Sequence, residues 1–264
     1  MLLLIGLHTT VSWAKGNDDK EKSTYSGKHV SGLTFRAIGP ALTSGRISDL
    51  VVNPENTSEW YIAAASGGVW KTTNSGVTFS PVFDNEGSYS IGCITLDPNN
   101  PHTVWVGTGE NNNQRSVAYG DGVYVSRDGG KSWTNTGLKD SEHIGMIKVH
   151  PSNSNVVYVA AYGPLWSAGG ERGLYRTVDG GKNWELILEV DEHTGINEIH
   201  LDPRNPEVMY ATAHQRRRHV YTYISGGPGS AIYKTTDGGK NWRKLKSGLP
   251  SVNMGRVGMD ISPA

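Results

Sequence analysis

Cysteine is almost absent from this 264-residue sequence: Cys93 stands alone, so no disulfide can form within the chain. Its place in the apolar run 91–96 predicts a buried small hydrophobe, because no neighbour in sequence favours the reactive thiolate. Net charge is lacking as well. Lys+Arg and Asp+Glu each number 25, which leaves no global field to draw the chain to nucleic acid or an anionic membrane. Beyond the N-terminus no apolar run approaches the ~20 residues of a membrane-spanning helix. Phenylalanine is scarce at 3, whereas Gly reaches 34 and Trp 8. That bias predicts many short strands, tight turns and large rings wedged between them, with little helix.

The first residues, Met1 and the apolar stretch from Leu2 to Leu7 continuing through Val11 to Ala14, give way to the charged run from Asp18 to Lys22. They predict a signal peptide over residues 1–14 and a flexible polar leader over 15–31, hence a secreted, periplasmic or cell-surface protein.

What the chain has in excess is a repeat. A Ser/Thr-x-Asp/Asn-x-Gly-x-x-aromatic pattern reads Thr72-Thr-Asn74-Ser-Gly76-Val-Thr78-Phe79 and Ser126-Arg-Asp128-Gly-Gly130-Lys-Ser132-Trp133. It returns as Thr177-Val-Asp179-Gly-Gly181-Lys-Asn183-Trp184 and Thr235-Thr-Asp237-Gly-Gly239-Lys-Asn241-Trp242. The intervals of 54, 51 and 58 residues each suit one four-stranded blade. A second marker keeps the same phase: Asn53-Pro54, Asp97-Pro98, His150-Pro151, Asp202-Pro203 and Ser262-Pro263.

Each unit can be laid out as an antiparallel meander. Inner strands fall at residues 47–52, 91–96, 144–149 and 196–201, and second strands at 60–65, 104–108, 156–161 and 208–213; both sets are apolar and rich in β-branched and aromatic residues. Third strands lead into the Asp/Asn turns and fourth strands follow them. The fold class is therefore all-β, a β-propeller, with blades at about 41–84, 85–138, 139–190 and 191–248 and the start of a fifth at 249–264. Residues 33–40 read as an outer strand that closes the ring. An unclosed propeller leaves sheet edges bare, so residues 32–264 read as an incomplete propeller, truncated from one of seven or more blades.

The turns explain their own letters. Asn74, Asp128, Asp179 and Asp237 can accept backbone N–H groups within the turn, and the glycines supply positive φ. Phe79, Trp133, Trp184 and Trp242 then serve as core anchors. These are structural assignments.

Function falls to the opposite end, where the connections after the second strands are long: residues 109–121, 162–172 and 214–230. The first carries Glu110, Asn112, Arg115 and Tyr119, and the second Trp166, Glu171 and Arg172. The third carries His214, Arg216, Arg218 and His219, and the link between blades adds Glu142 and His143. Carboxylates, arginines and rings together suit a carbohydrate or acidic peptide ligand. Glu110, Asp121 and Glu142 are the candidate catalytic carboxylates. Histidines and cysteine lack metal-ligand spacing, so neither metal nor cofactor is expected. Oligomeric state is not legible.

The repeated turns resemble those of Asp-box (BNR) repeat propellers, such as the luminal propeller of sortilin and the bacterial xyloglucan-active propeller hydrolases. That resemblance covers about Gly32 to the C-terminus and implies the propeller fold. The xyloglucan-active enzymes carry a catalytic Asp before the Gly-Gly opening the first blade's third strand; here the stretch is Ala63-Ala64-Ala65-Ser66-Gly67-Gly68, without an acid. Sialidases share the turns and add a Phe/Tyr-Arg-Ile-Pro motif, to which Phe35-Arg36-Ala37-Ile38-Gly39-Pro40 is similar with Ala and Gly inserted. Two readings follow. One is a secreted propeller binding glycan or peptide on its long-loop face; the other is a glycosyl hydrolase acting on a polysaccharide, with part of its catalytic pair outside this sequence.

Overall fold

The computed structural model describes Lys28, Ser31, Gly32 and residues 46–114 and 117–262. The signal peptide at 1–14, the leader apart from Lys28 and Ser31, the strand at 33–40 and Arg115 lie outside them. The rest is built of four antiparallel sheets. The first holds β1 (Ile47–Val52), β2 (Trp60–Ala64), β3 (Gly68–Thr72) and β4 (Ser80–Pro81), paired in chain order. The second repeats this with β5 (Ile91–Asp97), β6 (Asn100–Thr108), β7 (Val123–Ser126) and β8 (Thr134–Gly137). In the third come β9 (Ile144–His150), β10 (Asn153–Ala161), β11 (Gly173–Thr177) and β12 (Glu185–Leu188). The fourth comprises β13 (Thr194–Asp202), β14 (Asn205–Arg218), β16 (Ala231–Thr235) and β17 (Arg243–Lys244), with β15 (Tyr223–Ser225) added to the far end of β14.

The core lies between the sheets, not within them. Tyr61, Val69 and Phe83 of the first sheet meet Ile91, Val104 and Tyr124 of the second. Trp105, Val123 and Val125 meet Ile144, Val157 and Val159, and Tyr158, Leu174 and Leu188 meet Ile196, Met209 and Ala211. Stacking of this kind makes each sheet one blade of a propeller. Inner strands crowd together: at Gly145 a Cβ would sit 2.5 Å from the Asn197 carbonyl oxygen, so only glycine lets β9 and β13 approach so closely.

The turns hold themselves, and those of the second, third and fourth blades also hold the blade before them. Asp128 Oδ1 accepts the N–H groups of Lys131 (3.0 Å) and Ser132 (2.9 Å), and Asp179 Oδ1 repeats this with Lys182 and Asn183 at 3.0 Å each. Trp133 Nε1 donates across the blade boundary to the Val82 carbonyl at 2.7 Å, and Trp184 Nε1 to that of Thr136 at 2.8 Å. Cations of the preceding blade bond the turn glycines: Lys71 to the Gly129 carbonyl, Arg127 to Gly180 and Arg176 to Gly238. Residues 256–262, within the expected start of a fifth blade at 249–264, lie beside β13 but form no backbone ladder. Side chains hold them instead, with Asn197 Nδ2 donating to the Val257 carbonyl at 3.0 Å and Met259 N–H to Glu198 Oε2 at 2.9 Å.

Candidate functional site

Three long connections leave their sheets at the end opposite the Asp/Asn turns, and they converge. In the second blade, Glu110 is buried beside Arg46, whose Nε donates to Glu110 Oε1 at 2.6 Å. The next three residues offer their main-chain oxygens in succession. Asn111 O accepts from Arg256 Nη1 (3.2 Å), Asn112 O from Arg216 Nη1 (2.9 Å) and Asn113 O from Arg218 Nε (2.9 Å). Asn111 Nδ2 in turn reaches the Gly145 carbonyl at 3.2 Å.

The third blade contributes a knot around Arg172. Its guanidinium donates to the carbonyls of Gly169 (2.8 Å), Tyr162 (3.0 Å), Ser167 (2.8 Å) and Pro164, which folds the 162–172 segment back on itself. Arg216 is fully buried, with its Cζ 3.6 Å from the centre of the Tyr162 ring and Nη2 donating to Gly163 O at 3.1 Å. The Tyr162 hydroxyl meets His214 Nδ1, and His214 Nε2 stands 3.2 Å from Ser225 Oγ. One guanidinium thus ties together three blades.

The fourth connection departs from the expectation for residues 214–230. His214 to Arg218 are not loop: β14 runs on past the blade and pairs with β15 in the register Arg216↔Ser225, Arg217↔Ile224 and Arg218↔Tyr223. The backbone ladder turns the segment into a hairpin arm, whose tip carries His219 stacked on Tyr221 at 5.5 Å and 17°. Arg218 lies over the Tyr223 ring at 4.2 Å.

Burial divides the residues singled out in the sequence. His143, His214, Arg172, Arg216 and Glu110 lie inside the junction, and His214, Arg172, Arg216 and Glu110 brace it through hydrogen bonds. Burial, reinforced by the charge on Arg216, pulls His143 down to about 3 and His214 to about 4, so both rings are neutral near pH 7. Tyr119 is 55% exposed and packs edge-on against His143 at 6.0 Å. Asn112, Trp166, Glu171, Arg218 and His219 are half-buried. Glu171 Oε2 accepts the Asp140 N–H at 2.8 Å.

The three carboxylates differ in how they are engaged. Glu110 holds Arg46, and Asp121 accepts the Tyr124 hydroxyl at 2.6 Å and the Thr108 hydroxyl at 3.3 Å. Glu142 is half-buried, and its carboxylate makes no hydrogen bond among the described residues. Burial raises its pKa, against the opposing charges of Arg172 and Arg216. Its backbone is left-handed at φ 59°, uncommon for a side chain of this size. Sequence reading passed over Arg46, Tyr162 and Arg256, which lie outside the long loops or at their first residue, where nothing in composition marks them.

The match that decides the family falls on the third and fourth blades and the end of the second. The family model described as sortilin, neurotensin receptor 3 (Sortilin-Vps10) matches residues 121–258, more than half of the chain. The chain belongs to the Sortilin-Vps10 family. This Sortilin-Vps10 chain is also 23% identical to a xyloglucanase of a Paenibacillus species over 92% of its length and 25% of that protein. A xyloglucanase of Hypocrea jecorina is 25% identical over 91% of the chain and 30% of the relative. The chain therefore spans between a quarter and a third of the length of these curated relatives. Among solved structures, an ancestral GH74 enzyme aligns with a TM-score of 0.59 at 24% identity, covering 78% of the chain and 26% of that enzyme. The GH74 enzyme of Niastella koreensis aligns at 0.55 and 20% identity, over 74% and 28%. These likenesses support the propeller fold of this Sortilin-Vps10 member.

Proposed function

We propose that this chain is part of an exported, carbohydrate-binding propeller whose long-loop face takes a polysaccharide. The observation that carries the reading is the Arg216 junction, where connections from three blades are fixed into one surface. Rings left exposed around it, Tyr119 at 55% and Tyr221 at 85%, are the platforms on which sugar faces stack. The xyloglucanases among its relatives add weight to a glycan over a peptide as the ligand.

A hydrolase is the second reading, and Glu142 is the observation that favours it. A carboxylate on this face, its pKa raised by burial, can protonate a leaving sugar oxygen, provided a second carboxylate stands about 5 to 9.5 Å away across the bond. Calorimetric titration with xyloglucan and uronate oligosaccharides, together with an assay for new reducing ends, tests both readings. Tyr119→Ala and Tyr221→Ala are expected to weaken binding about tenfold each at an unchanged melting temperature, and Glu142→Gln to abolish cleavage while sparing binding. No binding to any oligosaccharide, or binding indifferent to both tyrosines, would remove the loop face from consideration.

A further inference from the structure

Arginines outnumber their ionic partners at the junction. Arg46 pairs with Glu110, but Arg172, Arg216, Arg217, Arg218 and Arg256 form no ion pair among the described residues. Neutral oxygens accept their N–H groups instead: the main chain of 111–113 for Arg256, Arg216 and Arg218, and the 162–169 carbonyls for Arg172. Arg172 and Arg216 are buried, and a guanidinium keeps its proton at any ordinary pH. Burial lowers both to about 10, with Arg217 adding to the effect at Arg172, and Arg172 and Arg256 at Arg216.

Carboxylates do face this group. Glu142 acts on Arg172 and Arg216, Asp191 and Glu192 on Arg172, and Glu198 on Arg256. None closes to an ion pair. Donors also remain unused: Nε of the fully buried Arg216, and Nε and Nη1 of Arg217, are enclosed with no hydrogen-bond partner. Fixed cations with neutral partners, in a setting of reduced dielectric, favour an incoming anion.

We propose that the junction binds the carboxylates of an acidic, uronate-bearing polysaccharide, with Arg218 and Arg256 in direct contact and Arg172, Arg216 and Arg217 providing fixed charge behind them. This rests on the loop-face reading above and narrows its ligand. A planar uronate carboxylate matches the guanidinium fork, while Tyr221 and Tyr223 offer faces to the sugar rings. Neutral xyloglucan offers these arginines no charge to pair with.

Titrating the full chain with oligogalacturonate, a neutral xyloglucan oligosaccharide and oligoglutamate, at low and high salt, tests the proposal. Oligogalacturonate is expected to bind, and to bind about tenfold more weakly in Arg218→Gln or Arg256→Gln and at high salt. Neutral ligand should respond to neither change. If a glutamine variant melts early, the lysine variant is read in its place, since it keeps the charge and loses the fork; weakened binding is again expected. Binding of the neutral oligosaccharide alone overturns the acidic ligand and leaves the loop-face reading standing. No oligosaccharide binding overturns both, and oligoglutamate binding as tight as oligogalacturonate overturns the choice of a glycan.

Discussion

Ser75 occupies a place that glycine holds in the other three turns. Its φ of 58° matches those of Gly129, Gly180 and Gly238 at 74°, 71° and 69°, so the backbone there demands a left-handed residue whatever the side chain. For an L-residue that conformation costs about 1–2 kcal/mol. Glycine loses about 0.5–1 kcal/mol more backbone entropy on folding, and the Ser75–Ser58 hydroxyl contact at 3.2 Å would go with the side chain. Ser75→Gly is accordingly expected to stabilise by up to about 1 kcal/mol, read as a higher urea midpoint; a lower one would mean that the hydroxyl contact outweighs the backbone. This position was legible from the sequence, because three of four aligned turns carry Gly-Gly. Burial of Arg216 was not. Its acceptors come from residues 103 and more positions away in the chain or from another blade, and no local pattern announces them.

At the level of elements, the turn aromatics differ in what they link. Trp184 donates to Thr136, stands edge-on to Trp105 at 6.4 Å and packs against the core between the second and third sheets. Phe79, at the same place in the first turn, is 37% exposed. Trp184→Ala is expected to cost about 2–4 kcal/mol, and Phe79→Ala less than about 1 kcal/mol, by denaturant melts of both variants; equal losses would deny the aromatic its interblade role. Inner strands such as β1 were readable because apolar β-branched runs end at Asn-Pro or Asp-Pro turns. The extension of β14 was not, since Gln215-Arg-Arg-Arg218 has no alternation of apolar and polar residues. Pairing with β13 at Gln215 and with β15 at Arg216 to Arg218 makes it a strand.

Across the whole molecule, the turns predict how the fold meets acid. Asp128, Asp179 and Asp237 are held below the usual carboxylate range, first by side-chain bonds from Ser132, Asn183 and Asn241 and then by the backbone N–H of the same residues, with Asp237 brought to about 2. A carboxylate depressed in the folded state stabilises fully above its unfolded value near 3.9, and that contribution disappears as pH falls toward its folded value. Glu142 and Glu171 work the other way: burial raises them, so they favour the fold when protonated and act at higher pH. Below about pH 4 the turns therefore steepen the slope, together with Asp202, which Arg204 brings to about 2, and Glu198, which is lowered as well. The first turn supplies the control, because Asn74 Oδ1 accepts the Thr78 N–H at 2.9 Å without titrating. Converting Asp128, Asp179 and Asp237 together to Asn keeps that acceptor in every blade. The triple variant is expected to lose stability less steeply than the parent between about pH 4 and pH 2, measured as urea midpoints across that range. An identical slope would place acid sensitivity elsewhere, since three blades that share one turn chemistry must lose it over the same pH interval.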